Sequence, residues 1–86
     1  MAWNSFKARE LAKASGWRRA KSRSLSTEEG YELKAWLYSL SEPANAALED
    51  GEWFGFWLHP SGDAGSWFDG TFRHPEQHAE FLLRWG

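Results

Sequence analysis

A chain of 86 residues with a formal net charge of −2 makes one domain with a small core, because a chain this short buries only about 60–65% of its unfolded surface. It contains no cysteine, which excludes disulfides and thiolate metal sites and is compatible with a cytoplasmic, reducing location. The longest apolar run, WFGFWL, falls far short of the roughly 18 residues of a membrane span, so no membrane role is expected.

Two features stand out. Seven Trp, six Phe and two Tyr supply more ring surface than so small a core needs, each ring being able to bury about 150–250 Å². The charge is also divided: residues 1–25 carry seven bases against Glu10 alone, whereas residues 26–86 carry three bases and eleven acids. The chain reads as a basic N-terminal arm, 1–25, on an acidic, aromatic-rich body, 26–86.

In chain order, residues 4–16 (NSFKARELAKASG) read as a short helix with Asn4 or Ser5 as N-cap, Gly16 as its stop, and a thin stripe of Ala8, Leu11, Ala12 and Ser15. Residues 17–24 (WRRAKSRS) lack periodicity and suit either a linker or an edge strand lined with charge. Residues 26–40 are the clearest helix. Ser26 and Glu29 have capping-box spacing, and Leu33, Trp36, Leu37 and Leu40 recur at i, i+3, i+4 and i+7.

Residues 41–51 (SEPANAALEDG) suggest a further helix of about two turns with Pro43 in its first turn. Two strands follow at 52–59 and 66–73, then a helix from Pro75 at N1 through Trp85. The expected fold is α+β, in the order α-α-(short α)-β-β-α: a small antiparallel β-hairpin or short sheet packed against two to three helices, with residues 17–25 a candidate third strand.

Strand alternation puts Phe54, Phe56 and Leu58 on one side of the hairpin and Trp53, Gly55, Trp57 and His59 on the other. Pairing Leu58 with Phe68, Phe56 with Gly70 and Phe54 with Phe72 would collect every Phe of the hairpin on one face. The opposite face would then carry Trp53, Trp57, Trp67, Arg73 and His59 as a partner-binding surface for a protein, a peptide or a second copy, since Trp and Arg are enriched at interface hot spots. The competing expectation is that the N-terminal helix covers this face, with Trp3 and Trp17 joining a second small core.

The second candidate surface is the basic arm, where Arg18, Arg19, Lys21 and Arg23 are candidate phosphate contacts for single-stranded nucleic acid stacked on the aromatic face. His74 and His78 stand four apart beside Glu76 and Glu80, but Pro75 makes His74 a cap and no third histidine is near, so no metal is expected. Nothing resembles a nucleophile motif, and Asp63 near His59 suits a plain hairpin loop. The expectation is a non-enzymatic interaction module without a cofactor.

Overall fold

The structure, a computed structural model, describes residues 5–44, 48, 50–58 and 65–86. It is α+β: three helices and a three-stranded antiparallel sheet, in the order α1 (Ser5–Ala14), β1 (Arg18–Lys21), α2 (Thr27–Leu40), β2 (Trp53–Leu58), β3 (Trp67–Phe72), α3 (Pro75–Trp85). The strands lie in the order β1-β3-β2.

Each helix ends where its local chemistry dictates. At the end of α1, Gly16 has φ +83°, the N–H of Gly16 donates to the Lys13 carbonyl and that of Trp17 to the Ala12 carbonyl. This is the double bond of a Schellman motif, which needs a left-handed residue where the chain leaves the helix. The capping box of α2 is formed at both ends, with the Ser26 hydroxyl accepting from the Glu29 N–H at 3.2 Å and the Glu29 carboxylate accepting from the Ser26 N–H at 3.1 Å. Pro75 opens α3 at its first turn, where a missing N–H has no consequence.

The candidate third strand is present and makes the sheet three-stranded where a hairpin alone was the simpler expectation, and the element order differs from the expected one. Residues 17–25 are drawn into the sheet because Ala20, Ser22 and Leu25 are buried. The Ser22 N–H donates to the Phe68 carbonyl and the Ser22 hydroxyl accepts from the Phe68 N–H, both at 2.8 Å. The short helix expected at 41–51 is not found among the described residues of that stretch. There the chain doubles back, so that the Ala44 N–H reaches the Trp53 carbonyl at 2.7 Å. Gly51, at φ +84°, passes so close that a Cβ on it would stand 2.6 Å from the Ala44 nitrogen.

The register of β2 on β3 differs by one residue from the expected one: Trp53 faces Phe72, Gly55 faces Gly70, Phe56 faces Asp69 and Trp57 faces Phe68. Opposed residues share a face, so each face of the sheet carries both Trp and Phe: Trp53, Trp57, Phe68 and Phe72 on one, Phe54, Phe56 and Trp67 on the other. Trp53, Phe68 and Phe72 pack with Leu33 and Leu37 of α2 and with Phe81 and Trp85 of α3 in the main core. Full burial of a ring such as Phe81 contributes about 2–3 kcal/mol. The other face carries Phe54 and Phe56 beside Asp69 and Thr71, and Ala12 and Trp17 at the end of α1 pack on Phe54 there. The N-terminal helix covers a second small core, and the sheet is a middle layer.

Candidate interaction surface

The two edges of the sheet are treated differently. On β1, sequence RRAK, three of four side chains are charged, and the Arg19 carbonyl on its outer side meets Nε2 of His78 in α3 at 3.1 Å. Charge and a covering helix are the ordinary ways of closing an edge.

On β2 neither device is present among the described residues. The Arg73 N–H donates to the Glu52 carbonyl at 2.9 Å, which sets the alternation of the ladder: Phe54, Phe56 and Leu58 turn their backbone groups toward β3, and Trp53, Gly55 and Trp57 turn theirs outward. The Trp53 carbonyl is taken by Ala44. Gly55 and Trp57 have no outward backbone bond among the described residues, and WFGFWL has no charge and no proline.

Above this edge lies α2. Tyr38 stands edge-on to Trp53 at 5.5 Å between ring centroids, and a Cβ on Gly30 would lie 3.9 Å from the Trp57 ring. These contacts place one flank of α2 along β2, antiparallel to it. That flank holds Thr27, Tyr31, Lys34 and Tyr38, at i, i+4, i+7 and i+11. Tyr31 is 69% exposed and Tyr38 45%, so an uncovered strip borders the unpaired backbone on the α2 side, while Leu58, 37% exposed, borders it on the other face of the sheet. Glu32 falls on the far side of the helix from this flank, and Glu28, three residues before Tyr31, stands at its border.

The tryptophan face expected from the sequence is not assembled, because the register divides it. Trp53 is buried, with its indole N–H donating to the Ser41 carbonyl at 3.0 Å. Trp57 is half-buried on the same side of the sheet, its ring 5.1 Å from that of Phe68. Trp67 lies on the other side, beneath the Lys21 ammonium at 5.3 Å. Arg73 stacks on Trp17 at 4.8 Å and donates to the Leu48 carbonyl at 2.9 Å. His59 and Asp63 lie outside the described residues, as does Trp3.

The four candidate phosphate contacts are also separated. Arg19 is held by Asp69, and Arg23 pairs with Glu29 while donating to the Arg84 carbonyl. Lys21 lies over Trp67, and the side chain of Arg18 is exposed. His74 bonds Glu52 at 2.6 Å, and among the described residues no group of three or more potential ligands could hold a metal ion.

Sequence reasoning passed over Asp69 as a site residue, although it is a buried carboxylate among the described residues. It is 6% exposed in the middle of β3, and Arg9 of α1 and Arg19 of β1 both reach it. The bond from Arg19 is the main reason its carboxyl titrates below the ordinary aspartate range; the charges of Arg9, Arg19 and Lys21 act in the same direction and burial opposes them. An acid inside an aromatic strand was the available signal, since a buried carboxylate needs a partner. No helix among the described residues is long and apolar enough to cross a membrane. Comparison with known protein families, with curated proteins and with solved structures gave no match for this chain.

Proposed function

We propose that the chain is a non-enzymatic interaction module that receives an extended protein segment along the outer edge of β2, beneath the tyrosine flank of α2. The observation that carries this reading is the outward N–H and C=O of Gly55 and Trp57 on an uncharged strand. Strand addition uses such an edge as a template, main-chain bonds supplying affinity and alternate side chains supplying selectivity. Each added hydrogen bond contributes only about 1 kcal/mol net, so binding also depends on covering Tyr31, Tyr38 and Leu58, at about 25 cal/mol per Å². Two of the three tryptophans expected to grip the partner act indirectly here, Trp53 and Trp57 holding β2 against the core.

The test is selection of extended peptides from a random library, followed by amide NMR of the complex. The expected result is that the Gly55 and Trp57 amides shift and become protected from exchange. Binding that moves only the β1 amides would overturn the reading.

A second reading has its own observation. Arg9, Arg19 and Lys21 share one side of the sheet with Phe56 and Trp67, with Arg9 over Phe56 at 5.6 Å and Lys21 over Trp67 at 5.3 Å. Cations alternating with rings suit a single-stranded nucleic acid. That reading requires affinity falling steeply with salt, measured with a mixed oligonucleotide.

A further inference from the structure

The β2 edge poses a narrower question than what class of segment could pair with it, namely which segment fits it best. We infer that the occupant is a second copy of this chain, joined antiparallel through β2 about a two-fold axis at Phe56, with Gly55 of each copy opposite Trp57 of the other. The inference rests on the strand-addition reading above and names its partner.

The outward backbone groups of β2 match those of a second β2. Among the described residues of this edge, Gly55 and Trp57 present both outward backbone groups, since the Trp53 carbonyl already accepts from Ala44. In an antiparallel pair, opposed residues of the hydrogen-bonded kind exchange both N–H···O bonds. Pairing Gly55 with Trp57 of the second copy, and Trp57 with its Gly55, satisfies every one of these groups on both strands. Phe56 then faces its own equivalent in the closer, non-hydrogen-bonded position, where aromatic pairs stabilise a sheet.

The charge of this edge also suits a second copy. In a two-fold contact the same patch meets itself, so charges near the axis meet their own kind. The rest of this surface is strongly charged, with bases on β1 and acids on the far side of α2. β2 is uncharged, and its flanking strip carries Lys34 with Glu28 at the border. This is the part of the molecule that can meet a copy of itself with least repulsion.

Dimerisation also changes which strands remain exposed. The joined sheet would have the order β1-β3-β2-β2-β3-β1, and both its outer strands would be β1, the strand already lined with charge and met by α3. The unprotected edges would be gone, and the assembly would stop at two copies. The two α2 helices would lie side by side on one face of the sheet, antiparallel, with their tyrosine flanks turned toward each other.

The test uses the full chain in sedimentation experiments from low to high micromolar concentration, together with amide exchange at Gly55 and Trp57. Two double variants probe the contact through side chains the fold leaves exposed: Tyr31→Glu with Tyr38→Glu, and Tyr31→Lys with Tyr38→Lys. The parent chain is expected to be a dimer with both amides protected. Each variant alone should dimerise more weakly by about tenfold or more, and an equimolar mixture of the two should restore a dimer by pairing opposite charges. A parent chain that stays monomeric, with both amides exchanging freely, overturns the second-copy assignment. If that monomer still takes up a selected extended peptide at Gly55 and Trp57, the wider strand-addition reading survives. A dimer whose Gly55 and Trp57 amides exchange freely also overturns the assignment.

Discussion

Arg19 of β1 grips Asp69 of β3 with two parallel bonds, Nε to Oδ1 at 2.9 Å and Nη2 to Oδ2 at 2.6 Å. Arg9 of α1 adds a third at 3.2 Å, so a single carboxylate ties the N-terminal helix and the edge strand to the centre of the sheet. The basic segment is thereby integrated into the acidic body. Bidentate pairing of this kind is geometrically selective as well as strong.

Replacing Asp69 with Asn keeps the shape and removes the charge. The variant should be less stable at neutral pH by about 2 kcal/mol, a value moderated by the exposure of Arg19. Because the Asp69 carboxyl titrates lower in the folded chain than in the unfolded one, its contribution is complete above the unfolded range near pH 4. It drains away as the pH falls through the folded value. Urea denaturation at neutral and acid pH should therefore show the gap between the parent chain and Asp69→Asn closing on acidification. A gap that stayed constant would mean that the ion pair contributes nothing through protonation.

The Phe68 ring lies across the Gly55–Gly70 cross-strand pair, and a Cβ on either glycine would run into it. Gly55→Ala and Gly70→Ala should each lose about 1–3 kcal/mol through overpacking. The two should differ in rescue. For Gly70 the three nearest atoms all belong to the Phe68 ring, whereas Gly55 is also blocked by the Asp69 carbonyl oxygen at 2.7 Å, which cannot yield. In double-mutant cycles with Phe68→Leu, thermal unfolding should show the larger favourable coupling for Gly70→Ala.

Gly30 is the opposite case. It lies inside α2, and a Cβ there would meet only the Trp57 ring at an ordinary 3.9 Å. Alanine is favoured over glycine in a helix by about 1 kcal/mol, so Gly30→Ala should stabilise the chain by up to that amount. A drop in the unfolding midpoint would show instead that Trp57 cannot accommodate a methyl group.

Local chemistry was readable in the residues where it is decided locally. The Ser26–Glu29 spacing located the start of α2, and Pro75 and Trp85 marked the ends of α3 as observed. The register was not readable, because it is decided by which rings fill the space beneath α2 and α3. Phe68 needs the Gly55–Gly70 pair as its floor, and Asp69 needs a position within reach of Arg9 and Arg19. Sorting rings by type gave the wrong partner for each residue of β2. For the same reason the exposed strip went unseen. The buried stripe of α2 was evident from Leu33 and Leu37, but only the fold shows that Tyr31 and Tyr38 border an unpaired strand.

Lys34 is the one charge on that strip, exposed between Tyr31 and Tyr38. In the two-fold dimer the α2 helices run antiparallel, so residues midway between the tyrosines come near the axis and the two lysines approach each other. Their repulsion weakens association and is screened by salt. Lys34→Gln should therefore tighten the dimer several-fold at low ionic strength, with the advantage shrinking as salt is added. The parent dimer itself should strengthen over the same range, a trend opposite to that required of polyanion binding. Sedimentation of both chains at two salt concentrations measures the two effects together. A dimer of the parent chain that weakened with salt would place opposite charges across the contact and would move the axis away from α2. A lysine at this point has a physical use even so. It limits sticking of an uncharged edge to unrelated strands, while a partner that buries both tyrosines and fills the Gly55 and Trp57 positions can still overcome it.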